Sequence, residues 1–296
     1  MIKKIVLGLF AVLGLILSFG SEGAYESTLG LLDEEKPKLT LSHMSWDDSL
    51  SSSAVIANVL RDEGYEVELI QLDPAFLFSS LATGTSDFSV SPWLPITHQT
   101  YIDEYGDQLD VLGPHTEGAT ISLAVPTYMG DDLDSIEDLT DEANQTVTGI
   151  EPGGGFSEMS NRVMESYDNL SDWELLESSS GAMLTSLGQA IENENEIVIT
   201  AWTPHWMFIE YDLKVLEDPQ NIYGSAEDIA TVARPGLAED HPEAHQIIDN
   251  FYWELDEIQQ VMLYLQEGMS PDEAARKWMD ENPETVASWT EGVTEE

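Results

Sequence analysis

Short apolar segments alternate with amphipathic segments along most of the chain, beginning at Lys38. Short β-branched runs and apolar–polar alternation predict strands, whereas apolar residues three or four positions apart predict helices. The predicted strands are 38–42, 66–72, 87–91, 119–125, 146–150, 173–177, 196–202 and 230–234. The clearest predicted helices are 49–64, 74–84, 242–251, 255–268 and 270–282, the last with Ser270 as its N-cap. This alternation predicts an α/β protein with mostly parallel sheets flanked by helices.

Three unusual segments come directly after predicted strands. They are "SPWLPITH" with Trp93, "AWTPHW" with Trp202, and the glycine-rich turn Gly153-Gly154-Gly155-Phe156. Ligands of open α/β sheets bind at the carboxyl ends of strands, so we expect these segments to lie near one site. The glycine-rich turn precedes a predicted helix, where backbone N–H groups can face an anion. A plain tight turn is the alternative interpretation of the three glycines.

Tryptophan side chains are the second group of candidate functional residues. The chain has eight, and the default role of each is packing, which we expect for Trp206 and Trp278 within helical patterns. Trp46, Trp93 and Trp202 differ because each lies at or just past the end of a predicted strand, where a cleft would open. Three aromatic faces around one point would suit a quaternary ammonium cation, which cannot donate hydrogen bonds.

The charge of the chain narrows the choice of partners. Its 296 residues include 57 acidic and 10 basic ones, for a net charge of −47. Nucleic acids and anionic membrane surfaces require a basic face, so we exclude both as partners. The acidic residues are spread over the whole chain, which is typical of a solvated surface adapted to concentrated salt. Attraction of cations or of a basic protein is the alternative.

Signatures of enzymes and of metal sites are missing from the sequence. There is no cysteine, no GxSxG and no HExxH motif, and the histidines have no spacing typical of metal ligands. We therefore expect no cofactor and no metal. His205 is interpreted as a structural residue that caps the turn after Trp202.

The N-terminus has the layout of a secretory signal peptide. Lys3 and Lys4 precede an apolar run from Ile5 to Phe19, followed by small residues. We predict a signal peptide over residues 1–20, with cleavage possible to about residue 23, and a linker over 21–37. Because the chain has no cysteine, we expect a periplasmic or other extracytoplasmic protein that is not lipid-anchored through cysteine.

Several segments together resemble the glycine betaine-binding proteins of ABC transporters. They are "SWDDSLSSSAVIANVLRDEGYEVE", "SPWLPITH", "GIEPGGGF", "SSSGAMLTSLGQAI" and "AWTPHWMFIEYDLKVLEDP", and the resemblance runs from about Lys38 to about Val293. It implies the two-lobed periplasmic-binding-protein fold (type II), with a hinge between the lobes. The implied lobes are residues 38–127 plus 230–296, and residues 128–229.

The resemblance also implies a ligand site between the lobes. A cage of Trp46, Trp93 and Trp202 would surround the trimethylammonium group, while His98 and the backbone N–H groups of Gly155 and Phe156 would hold the carboxylate. The phenyl ring of Phe156 is not expected to matter, because the implied contact is through the backbone.

The function implied by the resemblance is that of a monomeric extracytoplasmic receptor. It would bind glycine betaine and deliver it to an ABC transporter permease for osmoprotectant uptake. A receptor for choline or for another betaine or sulfonium osmolyte is the alternative, and an enzyme acting on a small zwitterion is a remote one.

The net charge generates a first prediction, that the folded protein requires salt. Self-repulsion among the carboxylates is weakly screened in dilute buffer, whereas the Debye length falls to about 3 Å in molar salt. The thermal midpoint of unfolding should therefore rise substantially from dilute buffer to molar NaCl. A midpoint that does not depend on salt would contradict adaptation of the surface to concentrated salt.

Overall fold

A computed structural model describes residues 37–293 of the chain. The predicted signal peptide, and all of the predicted linker except Pro37, lie outside the described residues. The strands are β1 (Lys38–His43), β2 (Glu66–Gln71), β3 (Phe88–Ser89), β4 (Trp93–Leu94), β5 (Asp110–Pro126), β6 (Thr146–Thr148), β7 (Glu174–Leu176), β8 (Val198–Thr203), β9 (Leu213–Val215) and β10 (Glu227–Ala233). The helices are α1 (Asp47–Asp62), α2 (Pro74–Ala82), α3 (Gln99–Tyr105), α4 (Gly155–Ser166), α5 (Ser180–Glu192), α6 (Met207–Glu210), α7 (Leu237–Asp240), α8 (Pro242–Asn250), α9 (Leu255–Gln266), α10 (Pro271–Glu281) and α11 (Pro283–Thr290).

The strands form two sheet regions that share the long strand β5. The hydrogen-bonded order is β2-β1-β3-β10-β5-β8-β6-β7, with β4 paired to β10 and β9 paired to β5. Residues 110–119 of β5 pair with β10, and residues 120–126 pair with β8 and β9. We call β1 to β4, β10 and the first part of β5 the first sheet, and β6 to β9 with the rest of β5 the second sheet.

The predicted α/β class is confirmed, but parallel pairing is less dominant than predicted. Strands β1, β2 and β3 pair in parallel, as do β6, β7 and β8. Every pairing of β5 and of β10 is antiparallel. Strand β5 runs from the first sheet directly into the second, without the helical crossover that parallel neighbours require, and β10 lies antiparallel beside its first part.

Helix α1 positions the segment that precedes it, because it is buried along most of its length. Its side chains from Ala54 to Leu60 are all buried, and α8, α9 and α10 pack against it. Helix α10 begins with the predicted N-cap, since Ser270 accepts a hydrogen bond from the backbone N–H of Glu273. Arg61 of α1 pairs with Asp272 of α10 at 3.0 Å, which joins the two helices at their surface.

A cluster of tryptophans holds the C-terminal helices together. Trp278 of α10 stacks on Trp289 of α11, with 5.9 Å between ring centroids, and meets Trp253 edge-on at 5.2 Å. All three are nearly inaccessible to solvent, so the packing role predicted for Trp278 is confirmed.

Within residues 37–293, the helices are all too short or too polar to cross a membrane.

Candidate functional site

A small cavity lies where the first and second sheets meet. Trp46 and Trp93 reach it from the first sheet side, and Trp202 of β8 reaches it from the second. The complete lining is Trp46, Trp93, Thr97, Ile121, Ile150, Phe156 and Trp202. Apart from Thr97, every residue of this lining has an apolar or aromatic side chain. A small cavity with this lining suits a compact group that donates no hydrogen bonds.

The structure brings the three predicted cage tryptophans together, and a fourth ring joins them. Trp46, Trp93 and Trp202 are 8%, 3% and 4% exposed, and each presents part of its ring to the cavity. Phe156 also lines the cavity and meets Trp202 edge-on, with ring centroids 6.1 Å apart. Only the backbone of Phe156 is expected from the sequence to contribute, so its side chain adds a ring that was not predicted. The binding roles of these residues stay predictions.

Carboxylates hold the polar edges of two of these rings. The indole Nε1 of Trp46 donates to Oε1 of Glu151 at 2.6 Å, and that of Trp93 donates to Oδ2 of Asp48 at 3.2 Å. A buried indole N–H requires an acceptor, and these bonds supply one while fixing the orientation of each ring. The apolar faces are thereby left for the cavity. Neither carboxylate was singled out from the sequence.

His98 lies directly beside the cage without lining the cavity itself. Its ring stacks on Trp46, with centroids 5.8 Å apart, and is fully buried. Burial lowers the pKa of His98 to about 3, so the imidazole is neutral. Its Nδ1 lies 2.8 Å from the backbone N of Trp93, which can only donate, so Nδ1 is the acceptor and Nε2 carries the proton. Among the described residues Nε2–H has no partner, which leaves a buried donor unused.

The glycine-rich turn approaches the segment that contains His98 very closely. A Cβ atom on Gly155 would lie 1.9 Å from the carbonyl oxygen of Thr97, a distance that no side chain permits. Gly155 is also the first residue of α4, so its N–H belongs to the free N-terminal turn of a helix. Only glycine at this position lets the two segments come together as they do.

Glu227 holds the Thr97 segment in place, and the sequence interpretation missed it. Its carboxylate accepts from the backbone N–H groups of Ile96 and Thr97, each at 2.7 Å, and from the Thr97 hydroxyl. It is 2% exposed and begins β10, so it connects this turn to the strand that pairs with the first part of β5.

A third carboxylate–indole contact lies near the cage but outside the cavity. Asp47 accepts from Nε1 of Trp206 at 2.8 Å and lies 3.4 Å from Nε2 of His205. His205 accepts from the backbone N–H of Met207 through Nδ1, which confirms its predicted role in the turn after Trp202. Within residues 37–293, His, Asp and Glu side chains form no cluster that could hold a metal ion.

A family model described as the substrate binding domain of ABC-type glycine betaine transport systems matches residues 37–281. The chain belongs to this family. Its members are transport proteins rather than enzymes, and substrate-binding proteins of ABC importers are extracytoplasmic.

Individual relatives agree with this assignment. GbuC of Listeria monocytogenes, a glycine betaine/carnitine transport binding protein, is 45% identical over 161 residues, which are 54% of each chain. The matched segment thus spans about half the length of that relative. Lactococcal OpuAC in its closed-liganded conformation with glycine betaine is 44% identical, with a TM-score of 0.83 over 86% of this chain and 100% of its own. The chain therefore has the two-lobed type II binding-protein fold.

More distant solved structures share the fold. The glycine/betaine/L-proline-binding protein ProX of Borrelia burgdorferi is 29% identical, with a TM-score of 0.80 over 85% of this chain and 96% of its own. A choline-binding protein of an ABC transporter, in complex with choline, has a TM-score of 0.79 at 24% identity over 87% and 92% of the two chains.

Asp48 generates a prediction about stability and pH. Burial raises its pKa to about 6, with the charge of Asp47 adding to this and the bond from Trp93 opposing it. Between pH 4 and 6 the unfolded chain loses this proton before the folded one does, so the group lowers stability as pH rises. Above about pH 7 the loss is constant, at about 2–3 kcal/mol.

The substitution Asp48→Asn should therefore raise the thermal midpoint at pH 7.5 in molar salt, because an amide can still accept from Trp93. The gain over the natural protein should shrink towards zero near pH 4. Asp131→Asn, at an exposed position, is the matched control. A variant that is less stable than the natural protein at pH 7.5, but equally stable near pH 4, would show that the buried charge stabilises the fold.

Proposed function

We propose that this protein lies outside the cytoplasmic membrane, where it binds glycine betaine between its two lobes and delivers it to an ABC permease. The proposed lobes are residues 38–127 plus 230–296, and residues 128–229. The pairing of strands supports moving the boundary between residues 229 and 230 a few residues earlier in the chain, since β10 pairs with the first sheet from Glu227 onwards. Trp46, Trp93 and His98 then belong to the first lobe, and Gly155, Phe156 and Trp202 to the second.

The observation that carries the proposal is the convergence of three indole rings from both lobes on one small apolar cavity. A trimethylammonium group has a diffuse positive charge and no hydrogen-bond donor, so aromatic faces are its natural partners. Each face contributes roughly 0.5–2 kcal/mol. Because Trp202 comes from the second lobe, the cage is complete only when the lobes are closed.

Donors for the opposite end of a zwitterion lie beside the cage. The unused Nε2–H of His98 and the N–H groups of Gly155 and Phe156 at the start of α4 are the proposed partners of the ligand carboxylate. The helix N-terminus adds favourable electrostatics for an anion. Choline has no carboxylate and would leave these donors unpaired, which is why glycine betaine is preferred in this proposal.

Titration calorimetry in high salt, with glycine betaine, proline betaine, a sulfonium carboxylate, choline and ectoine, tests the proposal directly. Glycine betaine should bind in the micromolar range or tighter and be recovered unchanged. Small-angle scattering should show a smaller radius of gyration when it is bound, because the lobes close. Saturable binding of choline without any binding of glycine betaine would refute the assignment.

His98→Ala should separate the two ends of the site. Removing one hydrogen bond to a charged carboxylate costs about 1.5–3 kcal/mol, so glycine betaine should bind roughly ten- to a hundredfold more weakly. Choline offers no carboxylate, so any weak binding of choline should hardly change. Trp93→Ala is the matched comparison, because it should weaken both ligands. Equal losses of both ligands in His98→Ala would mean that His98 only supports the cleft.

Gly155→Ala should block closure, because its Cβ would overlap the carbonyl oxygen of Thr97. We expect glycine betaine binding to fall at least a hundredfold while the thermal midpoint of the unliganded protein changes little. Gly181→Ala is the matched control, since a Cβ there has no atom within 4 Å and the residue lies in helix α5. Normal binding by Gly155→Ala would show that the ligand does not require this close approach.

A further inference from the structure

Two hydrogen bonds between a carboxylate and an indole connect the two proposed lobes. Glu151 of the second lobe accepts from Trp46 of the first, and Asp47 of the first lobe accepts from Trp206 of the second. The two bonds have similar chemistry, but the indoles that donate them differ in position. Trp46 lines the cavity, whereas Trp206 does not. The pair therefore offers an internal comparison between a bond that touches the cage and one that only joins the lobes.

Glu151 is held in place by its own lobe. Its Oε2 accepts from the backbone N–H of Ser180, the first residue of α5, at 3.0 Å. Its Oε1 is directed at the first lobe, where it accepts from Nε1 of Trp46 at 2.6 Å and from the hydroxyl of Ser45 at 3.3 Å. The carboxylate is thus positioned before the lobes meet, and the bond to Trp46 becomes possible only on closure.

We propose that Glu151 is a positioning residue that strengthens the cation-binding face of Trp46 when the cleft closes. This inference rests on the proposed function. A carboxylate that accepts an indole N–H polarises the ring and makes its face more negative, and hydrogen-bonded groups in a partly desolvated site polarise one another. The attraction between a ring face and a cation is electrostatic, so a more negative face binds the cation more strongly.

This role makes affinity for the positive charge depend on closure. In an open cleft Trp46 would donate to water, and its ring would carry no added negative potential. On closure the second lobe supplies both the wall formed by Trp202 and the carboxylate behind Trp46. A ligand of the same shape without the positive charge would still contact both lobes, but it would gain no electrostatic attraction to the face of Trp46.

The test compares glycine betaine with 3,3-dimethylbutanoate, its isostere with a neutral tert-butyl group, in molar salt. Glu151→Gln keeps one acceptor oxygen for Trp46 and removes the charge, and it gives up the bond from the backbone N–H of Ser180, a loss that affects both ligands alike. It should weaken glycine betaine about tenfold, but the isostere by no more than about twofold, measured by calorimetry and competition. Equal weakening of the two ligands, or no weakening of glycine betaine, would overturn the proposal.

Asp47→Asn is the matched control, because it removes the charge from the other bond between the lobes. It should weaken glycine betaine and the isostere by the same factor, since Trp206 does not face the ligand. If Asp47→Asn discriminated between the ligands as strongly as Glu151→Gln, the effect would be one of overall charge and the proposed role of Glu151 would be wrong.

A double-mutant cycle with glycine betaine alone gives a second measurement. Trp46→Phe removes the indole N–H but keeps an aromatic face. In that background Glu151→Gln should have almost no further effect, whereas additive losses would show that Glu151 does not act through Trp46. Failure of the natural protein to bind glycine betaine at all would instead refute the proposed function, so the two failures are distinguishable.

Discussion

A buried indole has a polar edge that requires an acceptor and an apolar face that does not, and the site depends on this asymmetry. Asp48 and Glu151 hold the edges of Trp93 and Trp46, which leaves the faces free around the cavity. The same carboxylates introduce negative charge behind an apolar wall. A cavity that is apolar on its surface is in this way also favourable for a cation.

The surrounding fold supplies the positions that these contacts require. Trp46 and Asp48 lie at the start of α1, which is fixed by its burial, and the dipole of that helix favours carboxylates in its first turn. Glu227 at the start of β10 fixes the Thr97 turn, and Gly155 lets the opposite turn approach it. Each of these parts of the site is thus anchored to a helix or strand of the fold.

Much of the fold could be predicted because most strands and helices have a clear periodicity. The start of β5 was missed, since Gly113, Pro114 and Gly118 interrupt the alternation between residues 110 and 118. The two-residue strand β4 and the helix α11 were also missed. The three tryptophans were predictable because each lies at or just past a strand end. Their acceptors were not, because any one of 57 acidic residues is an equally good candidate, and Glu151 lies 105 positions from Trp46.

The unused Nε2–H of His98 bears on how often an empty receptor would be in the closed state. A closed cleft without ligand leaves this buried donor unpaired, which costs about 1–3 kcal/mol. If the lobes close on the ligand as proposed, this one atom biases the empty protein towards the open state by roughly five- to a hundredfold. A permease that responds to the closed shape would then rarely be triggered by an empty receptor, and ATP hydrolysis without cargo would be suppressed by the binding protein itself.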